Sequence, residues 1–286
     1  MDELKLQQQW QQQAKLQQKW QQQVKETNDG ARPVEMADGS VVDPQVYIVS
    51  FPKSGRTWLR TLIGKALIDG FALNTQDLLE PLKLTVSAGV LPTEFIHDGT
   101  NAILAKPWTE LESDKSSYKD KKVIFLVREP KDLIVSFYFS TTRRKQIYEG
   151  SISEFIRSDE YGIKKIMTFY KNWCDNQNVP KDFFLLRYED LHKDAETCLA
   201  SVLKFIAAEN IPKQVIKDAV DFGDFENMKQ LERSGQYSWR LLPANASDEQ
   251  SYKVRQGKVG GYVDYLSKED IEYIDGIIAQ ANCSFF

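Results

Sequence analysis

The residues best suited to chemistry lie in one short segment that runs from an apolar stretch through a glycine turn into a helical pattern. It reads YIVSFPKSGRTWLR from Tyr47 to Arg60. Gly55 allows the backbone to turn sharply and to approach a ligand closely. The first amides of the following helix have no intrahelical partner, and together with the helix dipole they attract an anion. Lys53 adds a positive charge, and Ser54 and Thr57 add hydroxyl donors, so the segment predicts a bound phosphate or sulfate.

This segment differs from the phosphate loop of metal-dependent nucleotide kinases and hydrolases. That loop needs two glycines separated by four residues and a lysine after the second, whereas Lys53 precedes the single Gly55. The sequence also shows no strand ending in an acidic residue placed to hold Mg²⁺. A P-loop-like kinase or hydrolase remains an alternative, although the sequence lacks the acidic residue that would hold the metal of such an enzyme. A plain glycine turn beside a surface lysine is a second alternative.

A second segment, VIFLVREPKDLIVSFYF, places a cation at the end of another apolar strand. Arg128 follows the strand directly, and Ser136 lies two helical turns further on. Parallel α/β folds bind ligands at the carboxyl ends of their strands, so these two side chains can hold one phosphate from two sides. The alternative is a structural salt bridge from Arg128 to Glu129 or Asp132.

A third segment, VRQGKVGGY, carries Arg255, Lys258 and three glycines within nine residues. Such a stretch can surround an anion with backbone amides. Its alternative is a mobile, solvated basic loop.

The elements that must position these segments follow an α/β pattern. Apolar runs predict strands at 46–51, 123–127 and 183–186, and the middle run is apolar throughout, as in a central parallel strand. Helical periodicity predicts helices at 56–68, 130–140, 189–208 and 267–281, the last with Ser267 as N-cap. Residues 234–261 predict a long loop. Alternating strands and helices indicate a single α/β domain with a central parallel sheet flanked by helices.

Composition narrows the class of protein. The chain has 286 residues, 42% of them hydrophobic, and a net charge of −4, which argues against nucleic acid as a partner. No apolar run is long enough to span a membrane, and no signal pattern follows Met1. Three widely spaced cysteines and two histidines form no zinc or disulfide pattern. We expect a cytoplasmic protein with no structural metal and no membrane partner.

The chain divides into three parts. Residues 1–27 contain a ten-residue near-repeat rich in glutamine, with apolar residues four apart, and predict an amphipathic helical extension. Its role is open between packing on the body and docking to a partner or membrane. Residues 28–45 hold glycines and prolines typical of a linker, and residues 46–286 form the α/β domain.

Together the three segments resemble the cytosolic-type sulfotransferases. FPKSGRTW is similar to the family's 5′-phosphosulfate loop, VREPKDLIVSFYF to its 3′-phosphate segment, and RQGKVGGY to its RKG-x-x-G-D-W loop. The resemblance runs from about Val46 to the C-terminus. It implies a fold related to nucleotide kinases and 3′-phosphoadenosine 5′-phosphosulfate (PAPS) as sulfuryl donor, without a metal. It also implies that adenosine 3′,5′-bisphosphate (PAP) is the product.

The resemblance carries specific roles to matching positions. The 5′-phosphosulfate side matches Lys53, Ser54, Gly55, Arg56, Thr57 and Trp58, and Trp58 also matches a residue that stacks on the adenine. The 3′-phosphate side matches Arg128, Ser136, Arg255, Gln256 and Gly257. The adenine side matches Tyr188, Phe225 and Met228. For Trp58 and Phe225 the alternative is core packing.

Three departures from the family pattern stand out. Arg56 replaces a small hydroxyl residue, which adds charge near the transferred group. Gln256 replaces a lysine, which removes one cation. Gly261 and Tyr262 replace an Asp-Trp pair, and the family's dimerisation segment beyond them is not recognisable. The oligomeric state therefore stays open.

The resemblance also points to a catalytic base. A neutral imidazole can accept the acceptor's proton near pH 7. His97 follows a short apolar run, which places it at a strand end, and it is the only histidine between the two phosphate segments. Asp98 is a candidate to orient the ring, or simply caps a turn. His192 lies among charged residues of a predicted helix, so we expect it to be solvated.

The resulting hypothesis is a sulfotransferase that acts by in-line displacement, with His97 as base and Lys53 at the bridging oxygen. The acceptor would be a small-molecule hydroxyl or amine, with secondary-metabolite tailoring as a guess. A non-catalytic nucleotide-binding protein is a further alternative.

Overall fold

A computed structural model describes residues 30–234 and 248–286. The predicted glutamine-rich helix lies outside the described residues, as does the middle of the predicted long loop.

The predicted parallel sheet lies at the centre of the fold and has four strands, one more than the three whose bounds were predicted. They are β3 (Val46–Ser50), β4 (Thr93–Ile96), β5 (Lys122–Val127) and β6 (Asp182–Arg187), arranged in the order β4-β3-β5-β6. Ile48 lies beside Phe95 on one side and Ile124 on the other. This register brings the carboxyl ends of all four strands to the same edge, where Ser50, Ile96, Val127 and Arg187 end the strands.

Alternate residues of the strands pack into two separate hydrophobic cores, one on each face of the sheet. Val49 and Phe125 pack on one face, and Ile48 and Ile124 pack on the other. Side chains alternate between the two faces of a strand, so a strand that is apolar at every position must be covered by helices on both sides. The result is a three-layer α/β arrangement, and it confirms the predicted fold class.

Ten α-helices are seen in the described residues. They are α1 (Arg56–Gly70), α2 (Pro81–Ala88), α3 (Pro130–Phe139), α4 (Ile152–Arg157), α5 (Ile163–Asp175), α6 (Tyr188–Lys193), α7 (Ala195–Phe205), α8 (Lys213–Phe222), α9 (Phe225–Ser234) and α10 (Lys268–Ala281). Single 3₁₀ turns occupy Ala102–Leu104, Trp108–Glu110, Ser116–Tyr118, Glu249–Ser251 and Gly261–Asp264. Ser267 caps α10 by accepting the amide of Asp270 at 3.1 Å, as predicted.

One helical prediction is wrong. Residues 189–208 do not form one helix, because the chain breaks at Asp194, whose φ is −147°. The Asp194 carboxylate accepts the amide of Thr197 at 3.0 Å and so begins α7 as its N-cap. The helix predicted at 130–140 is confirmed as α3, and an unpredicted wide turn of the π type, Ser140–Arg144, follows it directly.

The predicted linker carries structure of its own. Strands β1 (Val34–Glu35) and β2 (Val41–Val42) pair as a short antiparallel hairpin. Just before it, the backbone amide of Arg32 donates to the Tyr47 hydroxyl at 2.8 Å, and that hydroxyl donates to the Arg32 carbonyl at 2.9 Å. These bonds join the hairpin region to the first strand of the sheet.

Within the described ranges, no helix combines the length and apolar character that crossing a bilayer requires.

Candidate functional site

A cleft of about 860 Å³ opens at the carboxyl edge of the sheet. Its size falls within the range of small-molecule sites. Each of the four strands delivers a chemical group to it, because the residues that follow Ser50, Ile96, Val127 and Arg187 all lie at this edge.

Nearly every site residue named from the sequence lines this one cleft. These residues are Lys53, Gly55, Arg56, Thr57, Trp58, His97, Arg128, Ser136, Tyr188, Phe225, Met228, Arg255, Gln256 and Gly257. Ser54 is the exception, since its side chain is fully buried and does not line the cleft. The Ser54 amide donates to the Phe51 carbonyl at 3.3 Å and so helps to close the turn.

The glycine turn has a geometry that only glycine can adopt without strain. Gly55 has a φ of 95°, and a Cβ at this position would lie 2.5 Å from Cδ2 of Tyr188. Gly55 is also the N-cap of α1 and has no side chain to cap the helix. Lys53 has a φ of 78°, an uncommon value for a residue with a side chain. The tight turn thus leaves the first amides of α1 facing the cleft, as an anion site requires.

The Lys53 ammonium lies in a strongly positive environment. It donates to the carbonyl of Lys253 at 3.4 Å. Burial lowers the pKa of Lys53 to about 7, and the charges of Arg144, Arg128 and Arg255 act in the same direction, against the opposing carboxylate of Glu232. Because burial and the neighbouring cations disfavour the charged ammonium of Lys53, an anion bound beside it would stabilise that charged form.

Arg128 is placed to meet a ligand. Its Nη1 donates to the Lys53 carbonyl at 3.1 Å, and its guanidinium lies 4.4 Å from the centre of the Tyr188 ring. Its Nε is buried and has no hydrogen-bond partner in the described part of the chain. The alternative of a salt bridge to Glu129 or Asp132 is wrong, because the described residues include no such pair. Glu129 instead accepts the Asp132 amide at 2.8 Å as the cap of α3.

Asp132 has a role that the sequence did not show. Its two carboxylate oxygens accept the amides of Gly260 at 2.6 Å and Tyr262 at 2.9 Å. Asp132 therefore fastens the third sequence segment to the start of α3, beside the second.

The third segment is held on the cleft by its own side chains. Arg255 donates to the Tyr265 hydroxyl at 2.7 Å and lies 4.3 Å from the centre of the Phe139 ring. Gln256 donates to the same hydroxyl at 2.8 Å. Gly257 has a φ of 58°, and a Cβ there would lie 2.5 Å from the Phe225 ring. These contacts argue against the alternative of a loosely solvated loop.

Aromatic and apolar side chains form a slot beside these cations. Trp58 lies edge-on to Tyr188 with ring centres 5.9 Å apart, and Met228 is buried with Leu79 and Leu231. His192 is exposed, as expected, but it is also part of the site. Its Nε2 lies 2.7 Å from the Gly257 carbonyl, and it lines the cleft beside Trp58.

His97 directly follows strand β4, as predicted. Its Nδ1 lies 2.9 Å from the Ser50 carbonyl, which can only accept, so Nδ1 carries the proton and Nε2 is left as an acceptor. Burial, and next the charge of Arg56, hold the pKa of His97 well below its usual value. The ring is therefore neutral near pH 7.

Asp98 does not orient the imidazole. Its carboxylate accepts from the Tyr118 hydroxyl and Trp173 Nε1, each at 2.8 Å, and pairs with the buried Lys115 at 2.9 Å. Asp98 thus anchors the turn after β4 in the core, and the Ser50 carbonyl orients His97.

Sequence reasoning missed several charged residues of the cleft. Arg144 belongs to the wide turn and Lys145 directly follows it, while Arg60 comes from α1 and Lys253 precedes the third segment. The run Arg143-Arg144-Lys145 after a predicted helix was the available signal. Nine lysines and arginines line the cleft against three aspartates, although the whole chain is net negative.

Glu232 contacts one of these cations and the backbone that leads to another. It is fully buried and pairs with Arg144 at 2.9 Å. Its carboxylate also accepts the amides of Lys253 at 2.7 Å and Val254 at 2.8 Å. Glu232 therefore ties α9, the wide turn and the approach to Arg255 together.

The parallel sheet and its cationic cleft define an α/β protein built to bind an anion, with one glycine and a preceding lysine in its anion turn. Comparison with known proteins gives the family. Residues 43–282 match the sulfotransferase domain, so the chain belongs to the sulfotransferase family. It is a PAPS-dependent enzyme of the cytosolic type, as predicted from the sequence.

The chain is similar to family members from plants and animals. It is 27% identical to flavonol 3-sulfotransferase of Flaveria bidentis, over 82% of this chain and 80% of that protein. It is 31% identical to human sulfotransferase 4A1 over 60% of this chain and 63% of that protein. Among solved structures, mouse sulfotransferase SULT7A1 complexed with PAP shares the fold, with a TM-score of 0.57, 17% identity and coverage of 88% and 96%.

Proposed function

We propose that this chain moves the sulfuryl group of PAPS to a hydroxyl or amine of a small-molecule acceptor, with His97 as the general base. The observation that carries the proposal is that His97 and Lys53 line the same cleft, with Nε2 of His97 left as an acceptor by the bond to Ser50. Relatives named for a flavonol and an amine as acceptors support the acceptor class. Tailoring of a secondary metabolite remains the proposed biological role.

The residues present fit a doubly phosphorylated adenosine. The uncapped start of α1 and Lys53 would bind its 5′ side. Arg128, with a buried Nε that lacks a partner among the described residues, would bind its 3′-phosphate together with Ser136 and Arg255. The apolar slot of Trp58, Phe225 and Met228 is suited to an adenine.

The proposed chemistry needs one proton acceptor and one stabilised leaving oxygen. His97 Nε2 takes the acceptor's proton as the acceptor oxygen bonds to sulfur. The bond between sulfur and the bridging oxygen of the 5′-phosphate breaks, and its electron pair stays on that oxygen. Lys53 stabilises the resulting charge, and the amides of α1 stabilise the other oxygens.

The test uses His97→Ala with labelled PAPS and 2-naphthol as acceptor. We expect kcat to fall by about 10²–10⁴, the range for loss of a general base, while calorimetry shows an unchanged affinity for PAP. Near-normal turnover would remove His97 from this role. Tighter binding of ATP–Mg²⁺ than of PAP would favour a kinase instead.

A further inference from the structure

The positive charge of the cleft falls into two groups. The cations that act on Lys53 are Arg144, Arg128 and Arg255. Those that act on His97 are Arg56, Lys145 and Arg60. The first group includes Arg128 and Arg255, which the resemblance assigns to the donor, and the second acts on the proposed base. The two groups adjoin, because Arg144 also acts on Lys145. Within the second group only Arg56 was assigned to the donor, which leaves Lys145 and Arg60 without a role in nucleotide binding.

Lys145 follows Ser136, the residue proposed to contact the 3′-phosphate, at a distance along the chain. The wide turn is closed by the Lys145 amide, which donates to the Ser140 carbonyl at 2.9 Å, five residues earlier. Ser136 precedes Lys145 by nine residues, a rise of roughly 13–14 Å along a helix axis. The backbone of Lys145 is therefore well separated from that of Ser136, although both residues line the cleft.

Two of the other cations nearby have carboxylate partners. Arg60 lies 3.8 Å from Glu94, and Arg144 lies 2.9 Å from Glu232. No carboxylate of the described residues lies within ion-pair distance of Lys145. Burial lowers its pKa to about 8, with Arg144 and Arg56 acting in the same direction. An anionic group of a ligand would stabilise the charged form of a buried lysine that has no carboxylate beside it.

Arg56 is fixed beside the base. Its Nη2 donates to the carbonyl of Phe95, two residues before His97, at 3.1 Å, and it lines the cleft. The guanidinium is therefore directed toward strand β4, where an acceptor must place its hydroxyl to reach His97.

We propose, building on the function proposed above, that the acceptor is an anion. It is a hydroxyl compound with a carboxylate, sulfate or phosphate group that binds Lys145 and Arg56 beside His97. The bound negative charge also offsets two of the three cations that disfavour protonation of His97. An anionic acceptor therefore makes His97 a better proton acceptor than a neutral one does.

The test compares matched acceptors that differ only in charge. One set is 4-hydroxyphenylacetate, its methyl ester and tyramine. The other is 12-hydroxydodecanoate, its methyl ester and 12-aminododecanol. For wild type we expect kcat/KM of the acid to exceed that of its ester by about tenfold or more on at least one scaffold, the effect of one charge-assisted hydrogen bond. The amine should be the poorest acceptor.

Lys145→Gln should bring the ratio of acid to ester close to one. Lys268→Gln is the matched control, because Lys268 is 92% exposed and pairs only along its own helix, so it should keep the ratio. An ester or amine that reacts as well as the acid on both scaffolds in wild type overturns the proposal. An equal loss for acid and ester in Lys145→Gln also overturns it, because Lys145 would then serve the sulfuryl group of PAPS.

If no probe is turned over, calorimetry with PAP-saturated protein decides. We expect the acids to bind about tenfold or more weakly to Lys145→Gln than to wild type. Bound PAP without any binding of the acids overturns the anionic acceptor and leaves the sulfotransferase proposal in place. Failure to bind PAP overturns the proposed function itself.

Discussion

Replacement of Gly55 by alanine tests the anion turn most directly. The new methyl group would be built on a backbone with a φ of 95° and would lie 2.5 Å from Cδ2 of Tyr188, closer than real Cβ contacts allow. Two separate costs therefore arise at one position, the backbone strain and the displacement of the Tyr188 ring.

The size of each cost can be worked from the structure. A left-handed backbone costs a residue with a side chain about 1–2 kcal/mol. Moving Tyr188 also disturbs its contact with the Arg128 guanidinium at 4.4 Å, which is worth about 0.5–2 kcal/mol. We expect Gly55→Ala to lose about 1.5–4 kcal/mol in the free energy of unfolding. If Arg128 shifts, loss of its charge-assisted bond to the nucleotide weakens PAP binding by about 10- to 150-fold.

Gly39→Ala is the matched control. Gly39 has a φ of 81°, but no atom lies within 4 Å of a Cβ built there. It should lose about 1–2 kcal/mol from the backbone alone and bind PAP as wild type does. Urea denaturation measures the stability of both variants, and calorimetry measures PAP affinity. The assignment of this turn to PAP binding would be refuted if Gly55→Ala bound PAP as tightly as wild type. It would also be refuted if Gly39→Ala lost as much PAP affinity as Gly55→Ala.

Three further outcomes follow from buried charges. The His97 ring should stay neutral at pH 6 in the free protein, because its pKa is held below the usual value; an NMR titration midpoint at or above 6.5 would contradict this. Lys53 has a pKa of about 7 when free, and a bound anion raises it, so PAP binding should take up a proton and weaken from pH 7 to 9. In Lys53→Arg, calorimetry should show that PAP affinity depends less on pH between pH 7 and 9. The same pH dependence as in wild type would exclude Lys53 as the titrating group. Glu232→Gln should lose about 3–5 kcal/mol in denaturation because Arg144 loses its buried counter-charge, whereas Glu249→Gln, at an exposed pair with Arg233, should lose at most about 1 kcal/mol; equal losses would contradict the argument.

The sheet and the anion elements could be predicted because their signals are local. A run such as VIFLV is apolar at every position, which indicates a strand covered on both faces, and the structure has β5 there. Gly55, Arg128 and His97 could be placed at one edge because each follows an apolar run, and parallel strands end together.

The parts that could not be predicted depend on contacts between distant residues. Arg144 and Glu232 are 88 residues apart, and Asp132 and Gly260 are 128 residues apart. A carboxylate that will accept buried amides looks in the sequence like any solvated acid. The break at Asp194 was missed because the apolar spacing continues on both sides of it.

The wide turn after α3 sets the position of Lys145, the residue proposed to select the acceptor. One residue more per turn than an α-helix sets the direction in which Lys145 leaves the backbone. Deletion of a single residue here would rotate that lysine by about 100° around the axis. Under the proposal that Lys145 binds an anionic acceptor, such a deletion would change the acceptor charge that the cleft favours and leave every proposed catalytic residue in place.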